Sequence, residues 1–463
     1  MDPTNKAKGP SPHYSLYQRE VFKLGGTQGI LPDFSVHSEE LVESTKKKLN
    51  DRGYFYANSN AGLGWTDRAN REAFYRWRII PRMLVDTNVR DLSIDLFGHR
   101  IPAPVLFAPI GINKLYTPKG ELVPAKIAGE LGIPYCLSTA SSQPIEAVAE
   151  ANDLGASEKN ESNSVHSYNW SQRRWCEIAA LFPVTISLLE RAWKSGFDVC
   201  MLTVDTWQLG WRPTDINLAN YVFYYPGAVG NEVGTSDPVF MRKHGKDLER
   251  DSGKWIDSSV WHGKAHTWEK IPWLIKEVCR LVSWGRIPIL TAFLASGSAS
   301  PMVAHSLSKG IQSAQDALKA YEIGCEGIIV TNHAGRQVDG AVGSLEVLPE
   351  IVEAVEDKMT IIFDSGVRTG SDIFKAIALG AHAGMAHEGE KGCRHVLKSL
   401  LAVRFPMEKA QLKVVSDEYE QDLDITMTVA GYPAIKENIH GKHKDILKYN
   451  ESGVYPKGEH AKL

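Results

Sequence analysis

From about residue 104 the chain repeats one pattern, in which a short apolar run is followed by a polar loop and then a helical stretch. The apolar runs are PVLFAP, IPYCLS, DVCMLTVD, IPIL, EGIIVTN and TIIFDSG, with helical patterns such as GELVPAKIAGELG, SAQDALKAYEIG and GSDIFKAIALG between them. Unbroken apolar runs of this length suit strands buried on both faces, and strands joined through helices lie parallel. This many units with short connections predict an α/β chain closed as a TIM (β/α)8 barrel, with an open doubly wound sheet as the alternative. Helical patterns at 37–52 and 66–77 place an N-terminal helical segment ahead of the barrel. Residues 1–36 read as a flexible polar arm, 37–445 as one domain and 446–463 as a tail.

A barrel of this kind gathers its chemistry where strands end and loops begin. Polar or turn-forming residues recur at that end: Pro109, Ile110 and Gly111; Ser138 and Thr139; Thr203, Asp205 and Arg212; Thr331, His333 and Arg336; Asp364, Gly366 and Arg368. Taken alone, a histidine after a strand is more often structural than catalytic. Its neighbours change that reading, because a carboxylate such as Asp205 stabilises the imidazolium that a proton acceptor must become. Arg212 and Arg336 offer two guanidinium groups suited to bidentate binding of a carboxylate. Together these residues suggest deprotonation of a hydroxy acid. The turn in TIIFDSGVRTGSD precedes a helix, so its N–H groups and Arg368 suit a phosphate.

Composition narrows the classes further. With 463 residues, 43% hydrophobic and 23% charged, the chain is an ordinary soluble globular protein. A net charge of −3 gives no global attraction to nucleic acid or anionic membrane. Cys136, Cys176, Cys200, Cys279, Cys325 and Cys393 form no CxxC pair, which argues against structural zinc and fits a reducing compartment. No apolar signal core opens the sequence, and no run of about 18 apolar residues is long enough to span a membrane. Ala461-Lys462-Leu463 has the order of a C-terminal peroxisomal address, with a cytoplasmic location as the alternative.

The chain resembles the FMN-dependent α-hydroxy acid oxidase and dehydrogenase family, and is most similar to its lactate 2-monooxygenase-like and fungal branch. Thr331-Asn332-His333-Ala334-Gly335-Arg336-Gln337 carries the resemblance, supported by LFAPIGINKLYTPKGE, LTVDTWQLGWRPTD and FDSGVRTGSDIFKA. The resemblance implies FMN as cofactor, a small L-2-hydroxy acid as substrate, oxidation to a 2-keto acid, and O2 or another electron acceptor. A homo-oligomer is common in such a family. By position, His333 is the implied base, Asp205 its partner, and Arg212 and Arg336 the carboxylate clamp, with Tyr56 as a further substrate-binding residue. Pro109, Ile110, Gly111, Ser138, Thr203 and Thr331 would lie at the flavin, while Asp364, Gly366 and Arg368 would hold ribityl and phosphate. Lys309 corresponds to the lysine facing the flavin N1/C2 carbonyl, where its charge would stabilise the reduced ring.

Three stretches depart from the family pattern. In the third strand region, Trp175, Cys176 and Glu177 stand where a Gln-Leu-Tyr triplet is expected, with Tyr168 as a substitute tyrosine. TAFLASGSASPMVAHSL interrupts the fifth strand region, so either Lys309 is displaced or the strand re-forms with SLSKG. After IALGAHA the chain passes to GMAHEGEKGC, which implies loss of the eighth strand and its phosphate loop, with two neighbours left as open edges. A further tract, VRFPMEKAQLKVVSDEYEQ, has no family counterpart, and these interruptions look like errors in a gene structure. Two rival readings follow: a barrel that no longer binds FMN, and another FMN- or phosphate-binding barrel such as an isomerase.

Overall fold

The computed structural model describes residues 13–32, 37–162, 174–178, 184–227, 229–248, 251–285, 305–386 and 408–451. Eight parallel strands form a closed barrel: β1 (Val105–Phe107), β2 (Tyr135–Leu137), β3 (Arg174–Ile178), β4 (Val199–Thr203), β5 (His305–Ile311), β6 (Gly327–Val330), β7 (Thr360–Phe363) and β8 (Ala383–Ala386). Residues of β1, β2, β4 and β6 are buried throughout, as strands covered by helices outside and packed side chains inside require. The doubly wound alternative is thereby excluded.

The expected loss of the eighth strand is corrected. Ala383-Gly384-Met385-Ala386 pairs with β7 through Ile362 and Phe363 and with β1 through Val105 to Phe107, so no edge is left open there. These four residues carry the pairing on both sides, and the residues that follow them, 387–407, lie outside those described. The IPIL run likewise lies outside the described residues. The fifth strand is the later HSLSKGI segment, which pairs Thr203 with Lys309 on one side and Lys309 with Ile329 on the other. The re-formed strand therefore delivers Lys309 in register. Trp175, Cys176 and Glu177 do stand in the third strand, opposite Val199 to Met201 of β4. Tyr168 lies outside the described residues.

A hairpin of Ile94–Leu96 and His99–Ile101 closes the bottom of the barrel. Its turn residues Phe97 and Gly98 both have positive φ, as a tight two-residue hairpin turn requires. Phe97 reaches the ring of His305 at 5.0 Å, and His99 pairs with Asp198. Helix Glu408–Ala430 lies along helix Gly370–Ala378 and buries Leu423 and Met427 completely. Residues Leu447–Tyr449 pair antiparallel with Trp77–Ile79, so the folded unit runs past the boundary expected at 445. Within the segment expected as a flexible arm, His13–Gln28 is helical.

Candidate active site

The sharpest local feature is the turn after β6. His333, Ala334 and Gly335 follow one another at φ 55°, 53° and 70°, a left-handed run that ordinary residues resist. Asn332 holds it, since its side-chain oxygen accepts the Gly335 N–H at 3.1 Å and it exchanges hydrogen bonds with the buried Asn70 of helix Trp65–Arg76 at 2.6 and 2.8 Å. The turn presents His333 to the barrel mouth. There His333 Nδ1 meets Asp205 Oδ1 at 3.0 Å and Lys309 Nζ at 3.2 Å. The register slips at Gly310 of β5, whose φ is +113°, and a Cβ there would come within 3.0 Å of Asp205 Cβ. A bulge at this point sets the strand beside Asp205 and re-aims the side chains next to it.

Burial raises the Asp205 pKa, but the charges of Lys309 and His333 and a hydrogen bond from His333 outweigh it, so the carboxyl sits below its ordinary value. Asp364 goes the other way, because burial pushes it up to about 6 against the pull of Lys309 and Thr331. Its Oδ2 accepts the Thr331 hydroxyl at 2.5 Å. Lys309 is itself 1% exposed, so the barrel mouth holds a buried ammonium among two carboxyl groups and an imidazole.

Arg212 and Arg336 are 4% and 8% exposed. Arg336 donates to the backbone oxygens of Tyr56 and Ser59 at 3.1 and 2.5 Å, and its guanidinium stands 5.1 Å from the Tyr56 ring. Arg212 donates from Nε to the Arg336 backbone oxygen at 3.1 Å. Burial, then the neighbouring Arg336 charge, depresses Arg212 to about 10, and Tyr56 and Asp215 only partly oppose this. Two buried like charges at one cleft favour an anion between them.

One cleft brings together Tyr56, Pro109, Ile110, Gly111, Ser138, Arg212, His333 and Arg336. Thr203, Lys309, Thr331 and Asp364 are buried at the strand ends, while Gly366 and Arg368 stand apart from the cleft wall. Arg71 from helix Trp65–Arg76 pins the loop that carries Gly366, donating to its backbone oxygen at 2.8 Å and to Asp372 at 2.6 Å. Sequence reasoning passed over Gln337. Its amide donates to the backbone oxygens of Asp205 and Gln208 at 2.6 and 2.8 Å and accepts from Gly210 N–H and Arg212 Nη2 at 3.3 and 3.2 Å. A single side chain thus ties the Asp205 and Arg212 loop to the His333 loop. Its place one residue after Arg336 was the available signal.

The expected phosphate cradle needs correction at one point. Gly370 and Ser371 at the helix start donate their N–H groups to Asp422, at 2.6 and 3.3 Å, and Arg368 N–H goes to Asp372 at 3.0 Å. These backbone donors are already used, and an acidic side chain covers the helix end. At the ring end the donor set does suit a flavin: a buried ammonium at Lys309, the Ser138 and Thr203 hydroxyls, the Asp364 carboxyl and the Pro109–Gly111 backbone beside one cleft.

The FMN-dependent dehydrogenase family profile matches residues 45–281 and 301–438. The chain is 37% identical over 425 residues to the FMN-dependent alpha-hydroxy acid dehydrogenase qulF of Penicillium citrinum, covering 88% of this chain and 95% of that one. It is 31% identical over 417 residues to the peroxisomal (S)-2-hydroxyacid oxidase GLO4 of Arabidopsis thaliana, with coverage of 88% and 95%. A crystal structure of mandelate oxidase superposes with a TM-score of 0.67 at 25% identity, covering 90% of this chain and 98% of that one. The chain therefore belongs to the FMN-dependent dehydrogenase family, whose members in these comparisons are enzymes that oxidise 2-hydroxy acids.

Proposed function

We propose that this chain oxidises an L-2-hydroxy acid to the 2-keto acid with His333 as the base, and that O2 takes up the electrons as peroxide. The observation that carries the reading is the buried Arg212 and Arg336 pair at the same cleft as the His333–Asp205 dyad. Arg212 and Arg336 bind and orient the substrate carboxylate through charge-assisted hydrogen bonds. His333 accepts a proton from the substrate, and ionised Asp205 at its Nδ1 stabilises the imidazolium so formed. Tyr56, held by Arg336 from beneath, completes the substrate contact.

FMN, when bound, supplies the two-electron acceptor. Lys309 would face its ring and stabilise negative charge there, Pro109, Ile110, Gly111, Ser138, Thr203 and Thr331 would line it, and Asp364, Gly366 and Arg368 would hold ribityl and phosphate. Relatives named oxidases support O2 as acceptor, and the peroxisomal relative favours a peroxisomal site of action.

Anaerobic addition of L-2-hydroxy acids to the purified flavoprotein tests this directly. The flavin band bleaches in the wild-type protein, while His333→Gln keeps the band but reduces it about 10² to 10⁴ times more slowly. A bleaching rate unchanged by His333→Gln removes His333 from its role. Peroxide formed on readmitting air, followed with an oxygen electrode, identifies the acceptor.

A further inference from the structure

Between β4 and helix Ile271–Gly285 the chain makes a long excursion of short helical turns, and part of it returns to the active-site cleft. Phe223 comes from the turn Val222–Tyr224, Val260 from the turn Ile256–Val260, and Trp261 follows directly. All three line the cleft that also holds His333, Arg212 and Arg336. We propose that Phe223, Val260 and Trp261 form a specificity wall selecting 2-hydroxy acids whose α-carbon carries an aromatic or comparably bulky apolar group. This inference rests on the proposed hydroxy acid oxidation.

The wall is continuous and aromatic. Phe223 stands edge-on to Tyr56 with ring centroids 6.3 Å apart, and Trp261 stands edge-on to Phe223 at 5.1 Å. Tyr221 backs both, at 5.5 Å from Phe223 and 5.9 Å from Trp261. Edge-to-face contacts at these spacings are the favoured geometry of aromatic packing, and a substrate ring would extend the series.

The wall is also fixed in place. Trp255 is fully buried and its indole N–H donates to the Thr139 backbone oxygen at 3.0 Å, fastening the excursion to the loop after β2. Asn231 donates to the Phe223 backbone oxygen at 2.9 Å, and the Tyr221 and Tyr224 hydroxyls both close on Asp257. Gly230, at φ +75°, lies so close to Ile112 and Phe223 that a Cβ there would overlap both. A wall held from this many sides is organised before substrate arrives, so its contacts cost little ordering on binding.

With the substrate carboxylate at the two arginines and its reacting carbon at His333, the remaining α-substituent is the group left to meet Ile112, Phe223, Val260 and Trp261. Hydrogen in glycolate and methyl in lactate leave that surface largely uncovered. Each methylene-sized group that fills an apolar pocket changes kcat/KM by roughly 10-fold to 200-fold.

The test is the steady-state kcat/KM in air, with anaerobic flavin reduction recorded alongside, in the full-length flavoprotein with glycolate, L-lactate and L-3-phenyllactate. The expected result is a kcat/KM for phenyllactate at least about 10 times that for lactate. In Trp261→Ala that ratio falls by about 10-fold, mainly through the KM for phenyllactate. Val260→Phe, which adds bulk instead of removing it, also depresses phenyllactate selectively and covers the case where Trp261→Ala fails to fold. Glycolate or lactate matching phenyllactate in the wild-type protein overturns the inference and leaves the hydroxy acid oxidation standing. A ratio unchanged in both folded variants overturns the wall as its cause. A flavin reduced by none of the three acids overturns the oxidation itself, and the inference with it.

Discussion

Ala334 shows how much a single residue in the active-site turn is asked to do. It is fully buried at φ 53° between two other left-handed residues, and an alanine there carries strain that glycine would not. Ala334→Gly is expected to stabilise the protein by about 1 kcal/mol while His333 keeps its contact with Asp205. Chemical denaturation of the two proteins reads the difference, and a loss of stability would show that the Ala334 methyl contributes packing worth more than the strain. At this scale the residue types were legible: His333, Asp205, Arg212 and Arg336 all occur where strands end. Their partners were not. Gln337 gains its meaning from backbone oxygens more than a hundred positions away in the chain, and no local pattern announces that.

The loops after β1 and β2 are joined by a buried carboxylate at the scale of the element. Glu121, at the start of helix Leu122–Leu131, accepts the N–H groups of Asn113 at 3.0 Å and Ser142 at 2.9 Å. Burial pushes its pKa up to about 7, against the pull of those two N–H groups and of Lys114. A carboxyl with a raised folded-state pKa holds its proton longer in the native state, so its contribution to stability is full below the ordinary value of 4.5 and is lost as pH rises toward about 7. Glu121→Gln removes that titration. The stability of the wild type relative to Glu121→Gln should therefore decline across this window, measured by denaturant unfolding at several pH values, and a constant difference would show that Glu121 is ionised throughout. Six of the strand runs were set out from sequence, and five coincide with barrel strands. IPIL lies outside the described residues, and the described strand beside β4 is His305–Ile311, since an apolar run is indistinguishable from a strand until its neighbours in the sheet are known. The short β8 is illegible for the converse reason: Ala383-Gly384-Met385-Ala386, with no β-branched residue, acquires strand character from β7 and β1 on either side.

For the molecule as a whole, the bottom of the barrel sets an acid limit. His382, just before β8, accepts the Ile361 N–H of β7 at 3.1 Å and lies 4.7 Å from the ring of His440. Burial, then the His440 charge, pushes His382 down to about 4, with Asp357 opposing weakly. The unfolded chain binds a proton first as pH falls below the ordinary value of 6.5, so the contribution of His382 is full above that value and is lost on descending to about 4. His382→Gln keeps an acceptor for Ile361 and cannot titrate. Its unfolding free energy should fall less steeply than that of the wild type between those limits, and parallel curves would place the acid sensitivity elsewhere.

The amino-acid sequence by itself determined the barrel class, the order of its units and the residue types of the candidate catalytic set. Those follow from local hydrophobic periodicity and from the rule that loops at one end of a parallel barrel share a space. Tertiary structure alone decided that the barrel closes through β8, that Asp422 covers the helix start expected to hold phosphate, and that Phe223, Val260 and Trp261 return to the cleft. Each of these depends on contacts between distant segments. Strand pairing, capping from another helix and the packing of a long excursion are settled by which surfaces meet, and sequence spacing carries no record of that.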